Sequence, residues 1–542
     1  MKLDAPAKIF LAIFVLALVI RLPGLAHTAS IDEVSYLERG YFLNWHPPIP
    51  ILAHSVTRMM LGDYAWVSRL LMLAIGMINL TLVYKLASRL CGRRAGLFAA
   101  ALMGFSAYAV LASLQIDMDG SFLLMFYLST SLIFLKYLDQ KTTGWLLLAG
   151  VSFGLCLLTK YPGAFILPIL ALYHLITEKD LASAIKVSAV ILAVGLLVFS
   201  LFPLWSYLAG SSYFTDTLGH LSKYTAGRNI SLPLMVVQYL LFVLWAGPLL
   251  LGLFTLSLFR PKKGYVFAII WILAIVGFYT FVNRDNFKPI ERYFTVLLAP
   301  LCIIIGSYLS RLRLSKKEVW LTAAIAVAGL GCFMLLNLRG DMISFYPKTA
   351  FIDNALSLRW NFYMPITGSS GPIGFFVNFR VVAIAFIVVL ASGLALLAAG
   401  QERRRAAASA ALIIFLSVSL AYNFFFVQEY LFSTTSPSVN RVTQEMIGYA
   451  KANGLPEPIY VFRNTALKYY LRDKYTNLNF IDFDIEDNQT RVEDIISRKA
   501  TVLIVDFPKL NEQSLFWKGL GACRLEKSFT DKGFAMGRIY LC

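Results

Sequence analysis

The chain has 542 residues, of which 58% are hydrophobic and only 15% charged, and its mean hydropathy is +0.67. This composition excludes an ordinary soluble protein and is typical of a protein that crosses a membrane many times. The formal net charge is +18, but many of the basic residues occupy short turns between apolar runs, so the charge does not indicate a nucleic-acid partner. These turns are CGRRAG (91–96), FRPKKG (259–264), SRLRLSKKE (310–318) and QERRRA (401–406).

The first apolar run, residues 9–20, follows Lys2 and Lys8 as in a signal peptide. The next ten residues contain no convincing cleavage site, so we expect an uncleaved first membrane helix. About thirteen runs in the chain approach the roughly 20 residues that a membrane helix needs. They occur near 8–26, 65–88, 95–114, 121–138, 144–160, 163–177, 185–208, 233–258, 265–283, 292–310, 318–337, 372–399 and 407–427.

The basic turns predict the orientation of these helices, because Lys and Arg accumulate on the cytoplasmic side of membrane proteins. A cytoplasmic N-terminus places all four basic turns inside. The predicted external segments are 27–64, 209–232, 284–291, 338–371 and everything after residue 428.

The C-terminal section changes character. Short strand-like runs (458–462, 479–483 and 501–507) alternate with polar helical segments, and two further strand-like runs end the chain. We therefore predict a transmembrane domain over 1–430 and a small external α/β domain over 436–542. Cys523 and Cys542 both fall in the second domain, where they could pair if it lies outside the cytoplasm.

Acidic residues stand in two predicted external turns. Asp32 and Glu33 follow the first helix in the loop 27–64, and His46 precedes two prolines in the same loop. Asp117 and Asp119 fall in a short turn between two apolar runs. Such residues are either solvated loop carboxylates or members of a polar cavity; composition alone favours neither interpretation.

Basic residues stand at the same predicted side of the membrane. Lys160 lies in LLTKYPG (157–163), and Lys288 and Arg292 lie in NRDNFKPIERYF (283–294). Ionisable residues at a membrane boundary either extend their charged ends into water or face a cavity. Arg binds phosphate in a bidentate manner and Lys supplies a point charge, so the convergence predicts contact with a lipid phosphate.

The segment 46–108 resembles the C-type glycosyltransferases, specifically the protein O-mannosyltransferase and aminoarabinose (lipid A) transferase superfamily. The matching residues are Asp32–Glu33, His46–Pro48, Gly62, Arg69–Leu70 and Gly92–Arg94. Asp119 resembles the family's second acidic site, and LLTKYPG and ERYFTVLLAP (291–300) resemble its Leu-Thr-Lys-Gly-Pro and Arg-Tyr-x-x-Pro-x-x-Pro. The resemblance is strong over about 20–175 and moderate near 280–305.

The resemblance implies a GT-C fold with about thirteen membrane helices and an active site on the external face of the inner membrane. It implies inverting transfer of a hexose or pentose from a polyprenyl-phosphate donor. Asp32 would be the general base, Glu33 its neighbour and Asp119 the second acidic residue. The implied ligands of the donor phosphate are Lys160, Arg292, Lys288, Arg58 and His46.

Several alternatives stay open. Two acidic sites permit a divalent cation without requiring one, so no cofactor or metal ligand is assigned. The acceptor could be an envelope lipid, a glycan or a protein. A polytopic transporter or flippase of a lipid-linked sugar is the alternative function, although transporter sites usually lie near the midplane on interrupted helices. A third alternative is a membrane scaffold whose C-terminal domain binds a partner.

Overall fold

The computed structural model describes residues 4–29, 31–37, 47–117, 120–208, 216, 219, 232–259, 264–282, 291–344, 349–366, 374–401, 405–462, 464–481, 488–507 and 509–542. The chain divides into two compact units, Met1–Leu25 with Ser35–Val319 and Ala26–Val34 with Trp320–Cys542. Among the described residues, eight helices are long and apolar enough to cross a membrane, and three shorter apolar helices accompany them. The polytopic helical architecture is confirmed, and the count of about thirteen spans stays a prediction.

The first unit is helical throughout its described part. Asp4 caps its first helix by accepting a 2.9 Å hydrogen bond from the N–H of Ala7. The helices up to the end of this unit are α1 (Ala5–Arg21), α2 (Ile31–Leu37), α3 (Pro48–Leu61), α4 (Ala65–Cys91), α5 (Arg93–Phe105), α6 (Ala107–Ala112), α7 (Ser121–Gln140), α8 (Thr143–Leu157), α9 (Ile166–Glu178), α10 (Leu181–Leu208), α11 (Leu232–Leu258), α12 (Tyr265–Val282) and α13 (Leu298–Leu309). Of these, α2 crosses the division between the two units.

Several apolar runs are interrupted where the sequence predicts a continuous helix. The run 95–114 divides at Ser106 into α5 and α6. The run 144–160 stops at Leu157 and is followed by a 3-10 turn, Tyr161–Phe165. The run 292–310 starts as a 3-10 segment, Glu291–Leu297, before α13. These breaks leave irregular backbone at helix ends, where side chains can line a site.

The second unit contains a three-stranded sheet that the sequence does not predict. Its first two strands fall in the predicted external segment 338–371, and its third strand occupies the start of the predicted membrane run 372–399, whose helix begins at Phe379. Strand β1 (Asp341–Met342) pairs in parallel with β2 (Phe362–Ile366), and β2 pairs antiparallel with β3 (Phe375–Asn378). The helices around it are α14 (Lys316–Asn337), α15 (Thr349–Leu356), α16 (Phe379–Gln401) and α17 (Arg405–Phe432). The sheet is therefore held between the end of α14 and the start of α16.

The chain leaves α17 through a turn built on a buried carboxylate. Glu429 is fully buried, and its two oxygens accept five hydrogen bonds of 2.7–3.0 Å from Thr434, Thr435 and Ser436. Three of the five donors are hydroxyls and two are backbone N–H groups. The charge of Glu429 is thereby compensated inside the protein.

The C-terminal section forms the predicted α/β domain. Its five-stranded mixed sheet has the order β5-β4-β6-β8-β7. The elements are α18 (Val439–Asn453), β4 (Ile459–Phe462), α19 (Thr465–Leu471), β5 (Leu478–Ile481), α20 (Gln489–Ser497), β6 (Thr501–Val505), α21 (Leu515–Gly519), β7 (Arg524–Asp531) and β8 (Phe534–Leu541). All five predicted strands are present within one or two residues.

The core of this domain extends to the smaller sheet. Val442 and Met446 of α18 and Ile459 of β4 belong to one buried cluster with Tyr363 and Phe376 of the three-stranded sheet. The domain boundary that the sequence predicts near 430–436 stays a prediction. Cys523 and Cys542 form a disulfide that joins the start of β7 to the end of β8.

Candidate functional site

Pro47 and Pro48 lead directly into α3. Pro47 has extended backbone (φ −58°, ψ 145°) and Pro48 is the first residue of the helix, a position where a missing N–H costs nothing. The N–H of Ile49 donates a 3.1 Å hydrogen bond to the carbonyl of Leu158, just after α8. The first turn of α3 therefore lies beside the LLTKYPG segment, more than a hundred residues later in the chain.

The apolar face of α3 packs on two membrane helices. Ile49 and Ala53 contact a buried cluster formed by Met72 and Ile75 of α4 and Phe122 of α7. Because Phe122 stands in the first turn of α7, this packing places α3 beside the start of α7. Three segments of the family pattern thus meet at one end of the first unit.

Backbone geometry fixes the LLTKYPG segment. Lys160 is extended (φ −164°, ψ 145°) and precedes the 3-10 turn, and the hydroxyl of Tyr127 donates a 2.6 Å hydrogen bond to the carbonyl of Pro162. A Cβ atom at Gly163 would lie 2.6 Å from the carbonyl oxygen of Cys156. Only glycine permits this close approach, which holds the backbone around Lys160 against the end of α8.

Lys160 and Arg292 converge on one aromatic ring. The Nζ of Lys160 lies 4.5 Å from the ring centroid of Tyr293, and the guanidinium carbon of Arg292 lies 5.6 Å from it. Tyr293 itself stacks on Tyr279, with 5.2 Å between centroids and 5° between ring planes. Each cation–π contact contributes about 0.5–2 kcal/mol. The ring therefore fixes two positive groups in one place despite their mutual repulsion.

This cluster has the chemistry of an anion site. Arg292 is 9% exposed and Lys160 is half-buried, so an anion bound there would be partly removed from water. Electrostatic attraction between charges grows as the local dielectric constant falls. Tyr293 is the third member of this cluster. It was not among the residues predicted from the sequence, although its place beside Arg292 in ERYF (291–294) indicates it.

Arg58 is held by protein groups in the described structure. Its Nη1 donates to the carbonyl of Leu37 and its Nε lies 3.2 Å from a carboxylate oxygen of Asp63. The turn between Arg58 and Asp63 depends on Gly62. Its φ of +106° ends α3 in a conformation that other residues rarely adopt. Arg58 therefore joins the ends of α2 and α3, and its predicted role as a phosphate ligand stays a prediction.

His54, also on α3, was not among the predicted residues. It is fully buried against the ring of Phe122 (5.7 Å between centroids, T-shaped), and neither ring nitrogen has a hydrogen-bond partner among the described residues. Burial, with a smaller contribution from the positive charge of Arg58, lowers its pKa to about 3. His54 is therefore neutral near pH 7.

The acidic candidates are only partly described. Glu33 is fully buried in α2, whereas the description of Asp32 stops at its helical backbone. Asp119 lies outside the described residues; its neighbour Asp117 is fully buried and accepts a 2.9 Å hydrogen bond from the N–H of Gly120. His46 and Lys288 also lie outside the described residues.

The acidic roles and the metal therefore stay open. No group of three or more His, Cys, Asp and Glu side chains is found in the described part of the chain, and we assign no metal ligand. The structure brings together Lys160, Arg292 and the start of α3, and it leaves the predicted roles of the carboxylates as predictions.

Comparison with known proteins agrees with the resemblance. Residues 45–207 match the family model described as dolichyl-phosphate-mannose-protein mannosyltransferase. No curated protein sequence matches the chain. Two solved structures of ArnT from Cupriavidus metallidurans are similar in fold, each with a TM-score of 0.55.

The two structures of ArnT differ in what they hold. The one bound to undecaprenyl phosphate is 18% identical and the apo one 17%; each alignment covers 99% of this chain and 98% of the other. The structural similarity over almost the whole chain shows the fold alone, and the predicted resemblance to the C-type glycosyltransferases is confirmed. The chain is thus a polytopic membrane protein with the GT-C fold of those enzymes.

Proposed function

We propose that the protein is an inverting glycosyltransferase that moves a sugar from a polyprenyl-phosphate donor to an acceptor outside the cytoplasm. The observation that carries the proposal is the convergence of Lys160 and Arg292 on Tyr293. This cluster lies where α3, α8 and the segment before α13 meet. The fold of ArnT, which was solved with undecaprenyl phosphate, supports the same class of donor.

The two cations suit the leaving group of such a reaction. When the bond between the anomeric carbon and the phosphate oxygen breaks, its electron pair stays on the phosphate. Fixed positive groups aimed at that oxygen stabilise the transition state more than the ground state. Arg292 would bind two phosphate oxygens and Lys160 a third, while the ring of Tyr293 keeps both from turning away.

On the acceptor side we propose Asp32 as the general base. The acceptor oxygen attacks the anomeric carbon and its proton passes to the carboxylate, which requires a distance of about 3 Å at reaction. The proposal rests on the position of Asp32 in the family pattern, with Glu33 and Asp119 as its partners in the acidic site. The acceptor is an envelope lipid, a glycan or a protein, and the comparison of cell envelopes described below identifies it together with the transferred sugar.

We propose that the active site and the C-terminal domain face the outside of the cell membrane. The basic turns predict this orientation. The disulfide between Cys523 and Cys542 supports it, since disulfides persist in oxidising compartments and are rare in the cytoplasm.

The transporter alternative has one structural candidate. Helix α11 is broken at Gly247, where φ is +61°, and Pro248 follows. Broken membrane helices often hold ions or substrates in transporters. However, residues 232–258 contain no charged side chain, and Trp245 and Ala246 next to the break are buried. The break therefore offers a substrate no charged side chain of its own helix.

Variants of Asp32 and Lys160 test the transferase proposal. Undecaprenyl phosphate serves as the binding probe, and native mass spectrometry of the full-length protein measures its binding. Envelope lipids and glycoproteins of cells with and without the gene are compared by mass spectrometry to find the transferred sugar. We expect Asp32→Asn to bind the probe normally and to lose the sugar product, by at least about 100-fold in rate. We expect Lys160→Met to weaken binding of the probe by about 10- to 100-fold.

Two outcomes would oppose the proposal. Full product formation by Asp32→Asn would remove Asp32 from the base role. An unchanged envelope in cells without the gene, together with movement of a lipid-linked sugar across vesicles that contain the protein, would identify a transporter instead.

A further inference from the structure

The second unit contains a cavity of about 600 Å³ beside its three-stranded sheet. Its polar lining comes from Asp341 of β1, Asn354 of α15, Arg359 and Arg380, and Trp360 forms part of its apolar wall. It is large enough for the headgroup of a lipid and belongs to none of the segments in the family pattern. Nothing in the proposed transfer reaction uses it.

The chain connections place this cavity at the edge of the membrane. Helix α14, an apolar span, ends at Asn337, four residues before β1. Strand β3 ends at Asn378 and the apolar span α16 begins at the next residue, so Arg380 stands in the first turn of a membrane helix. The ring of Phe379 stacks on that of Phe362 in β2, 5.0 Å between centroids, which fastens the sheet to the helix end.

Arg380 is positioned in advance of any ligand. Its Nη2 donates to the side-chain oxygen of Asn361 and, at 3.3 Å, to the carbonyl of Arg339. Its Nε is buried and has no hydrogen-bond partner among the described residues. A buried donor without a partner is unfavourable, and an acceptor bound in the cavity would satisfy it. Arg359, exposed on the same rim, adds a second guanidinium.

Helix α15 presents apolar side chains beside these charges. Ile352 and Leu356, one turn apart, are 58% and 79% exposed, and Leu358 just after the helix is 73% exposed. Exposed aliphatic residues near polar ones at a membrane boundary are typical of helices that lie in the interface. The helix is held by the ring of Phe351, which contacts that of Phe362.

We propose that this cavity binds the phosphate headgroup of an anionic membrane phospholipid. The phosphate is bound by Arg359 and Arg380, the carboxylate of Asp341 accepts a hydrogen bond from a headgroup hydroxyl, and the acyl chains lie along Ile352, Leu356 and Leu358. Arginine suits this role because its planar guanidinium matches phosphate oxygens. In the orientation proposed above, the lipid belongs to the outer leaflet.

Native mass spectrometry of the full-length protein in detergent tests the proposal, with phosphatidylglycerol as the probe. We expect one tightly bound lipid that Arg359→Gln weakens about tenfold, equivalent to about 1.4 kcal/mol. Arg359→Lys should retain part of the affinity. Arg524→Gln removes the same charge from an exposed side chain elsewhere in this unit and should leave binding unchanged.

Three results would overturn the proposal. The first is equal binding of phosphatidylglycerol by Arg359→Gln and the unaltered protein. The second is equal affinity for phosphatidylcholine, which would show that the anionic headgroup is not selected. The third is displacement of the lipid by millimolar inorganic phosphate, which would identify a site for free anions. Because Arg359 is exposed, its replacement leaves folding intact, and thermal unfolding of each variant verifies this.

Discussion

The N–H of Ile49 donates a hydrogen bond to the carbonyl of Leu158, two residues before Lys160. This bond joins the first turn of α3 to the segment that carries one of the two clustered cations. A proline at position 50 and another at 48 leave Ile49 as the donor available at this point of the turn. The start of α3 is therefore fixed beside the backbone that leads to Lys160.

Removal of the cations at Tyr293 should weaken donor binding. We expect Lys160→Met to reduce the affinity for undecaprenyl phosphate by about 10- to 100-fold, since a hydrogen bond to a charged group contributes about 1.5–3 kcal/mol. Arg292→Lys should cause a smaller loss because it keeps the charge and removes the bidentate geometry. Native mass spectrometry of the full-length protein measures both.

Lys136→Met is the matched control for this experiment. Lys136 also lies over an aromatic ring, 4.1 Å from the centroid of Trp145. It stands near the other end of α7, so its replacement should not change the affinity. Equal losses in the Lys136 and Lys160 variants would show that the effect is not specific to the cluster.

The close approach at Gly163 predicts a stability defect. Gly163→Ala places a Cβ atom 2.6 Å from the carbonyl of Cys156, and overpacking of this kind costs about 1–3 kcal/mol. We expect a lower unfolding temperature in detergent and weaker binding of undecaprenyl phosphate, because Lys160 is displaced. Gly144→Ala is the control, since nothing lies within 4 Å of its added Cβ. Indistinguishable stability of the two variants would contradict the packing described at Gly163.

His54 makes stability dependent on pH. Its pKa is about 3 in the folded protein and about 6.5 when exposed, so protonation favours the unfolded state. The stabilisation is fully present above about pH 6.5 and is lost as the pH falls toward 3. We expect the unfolding temperature to decrease over this interval, and His54→Leu to reduce the decrease. A parallel decrease in both proteins would assign the pH dependence to other groups.

The carboxylate at the end of α17 should be important for folding of the second unit. Glu429→Ala removes the acceptor of these five hydrogen bonds, two of them from backbone N–H groups, and of a longer one from Nε2 of Gln428 (3.3 Å). Since a hydrogen bond to a charged group contributes about 1.5–3 kcal/mol, we expect a loss of at least about 3 kcal/mol. Urea or thermal unfolding measures the change, and Glu445→Gln, at an exposed position, should have little effect. A small effect at Glu429 would mean that water replaces it.

Sequence patterns predicted the helices and the C-terminal strands well, because length and apolar periodicity determine them locally. They failed for β1 to β3. Strand β1 has two residues, and β2 contains Pro365, which is unfavourable in a strand. These strands form because Tyr363 and Phe376 are buried against α18. Such contacts connect residues far apart in the chain and leave no local signal.

The candidate site likewise combines features that the sequence predicts with contacts that it does not. Lys160 and Arg292 were each weak candidates in the sequence, and their common side of the membrane followed from the basic turns. Their meeting at Tyr293 is a contact between the segment after α8 and the segment before α13, which lie far apart in the chain, so no periodicity describes it. The burial of the His54 imidazole likewise arises from the packing of α3 on α4 and α7.

The order of the five-stranded sheet has a consequence for partners. Strand β7 is at one edge, and its first residues Arg524, Glu526 and Lys527 are charged and exposed. Charged edge strands resist the addition of a strand from another protein. The disulfide at Cys523 further fixes the start of this strand. An extended peptide that pairs with a sheet edge would meet the ammonium, guanidinium and carboxylate groups of these side chains. This edge is therefore unfavourable for binding a partner by strand addition.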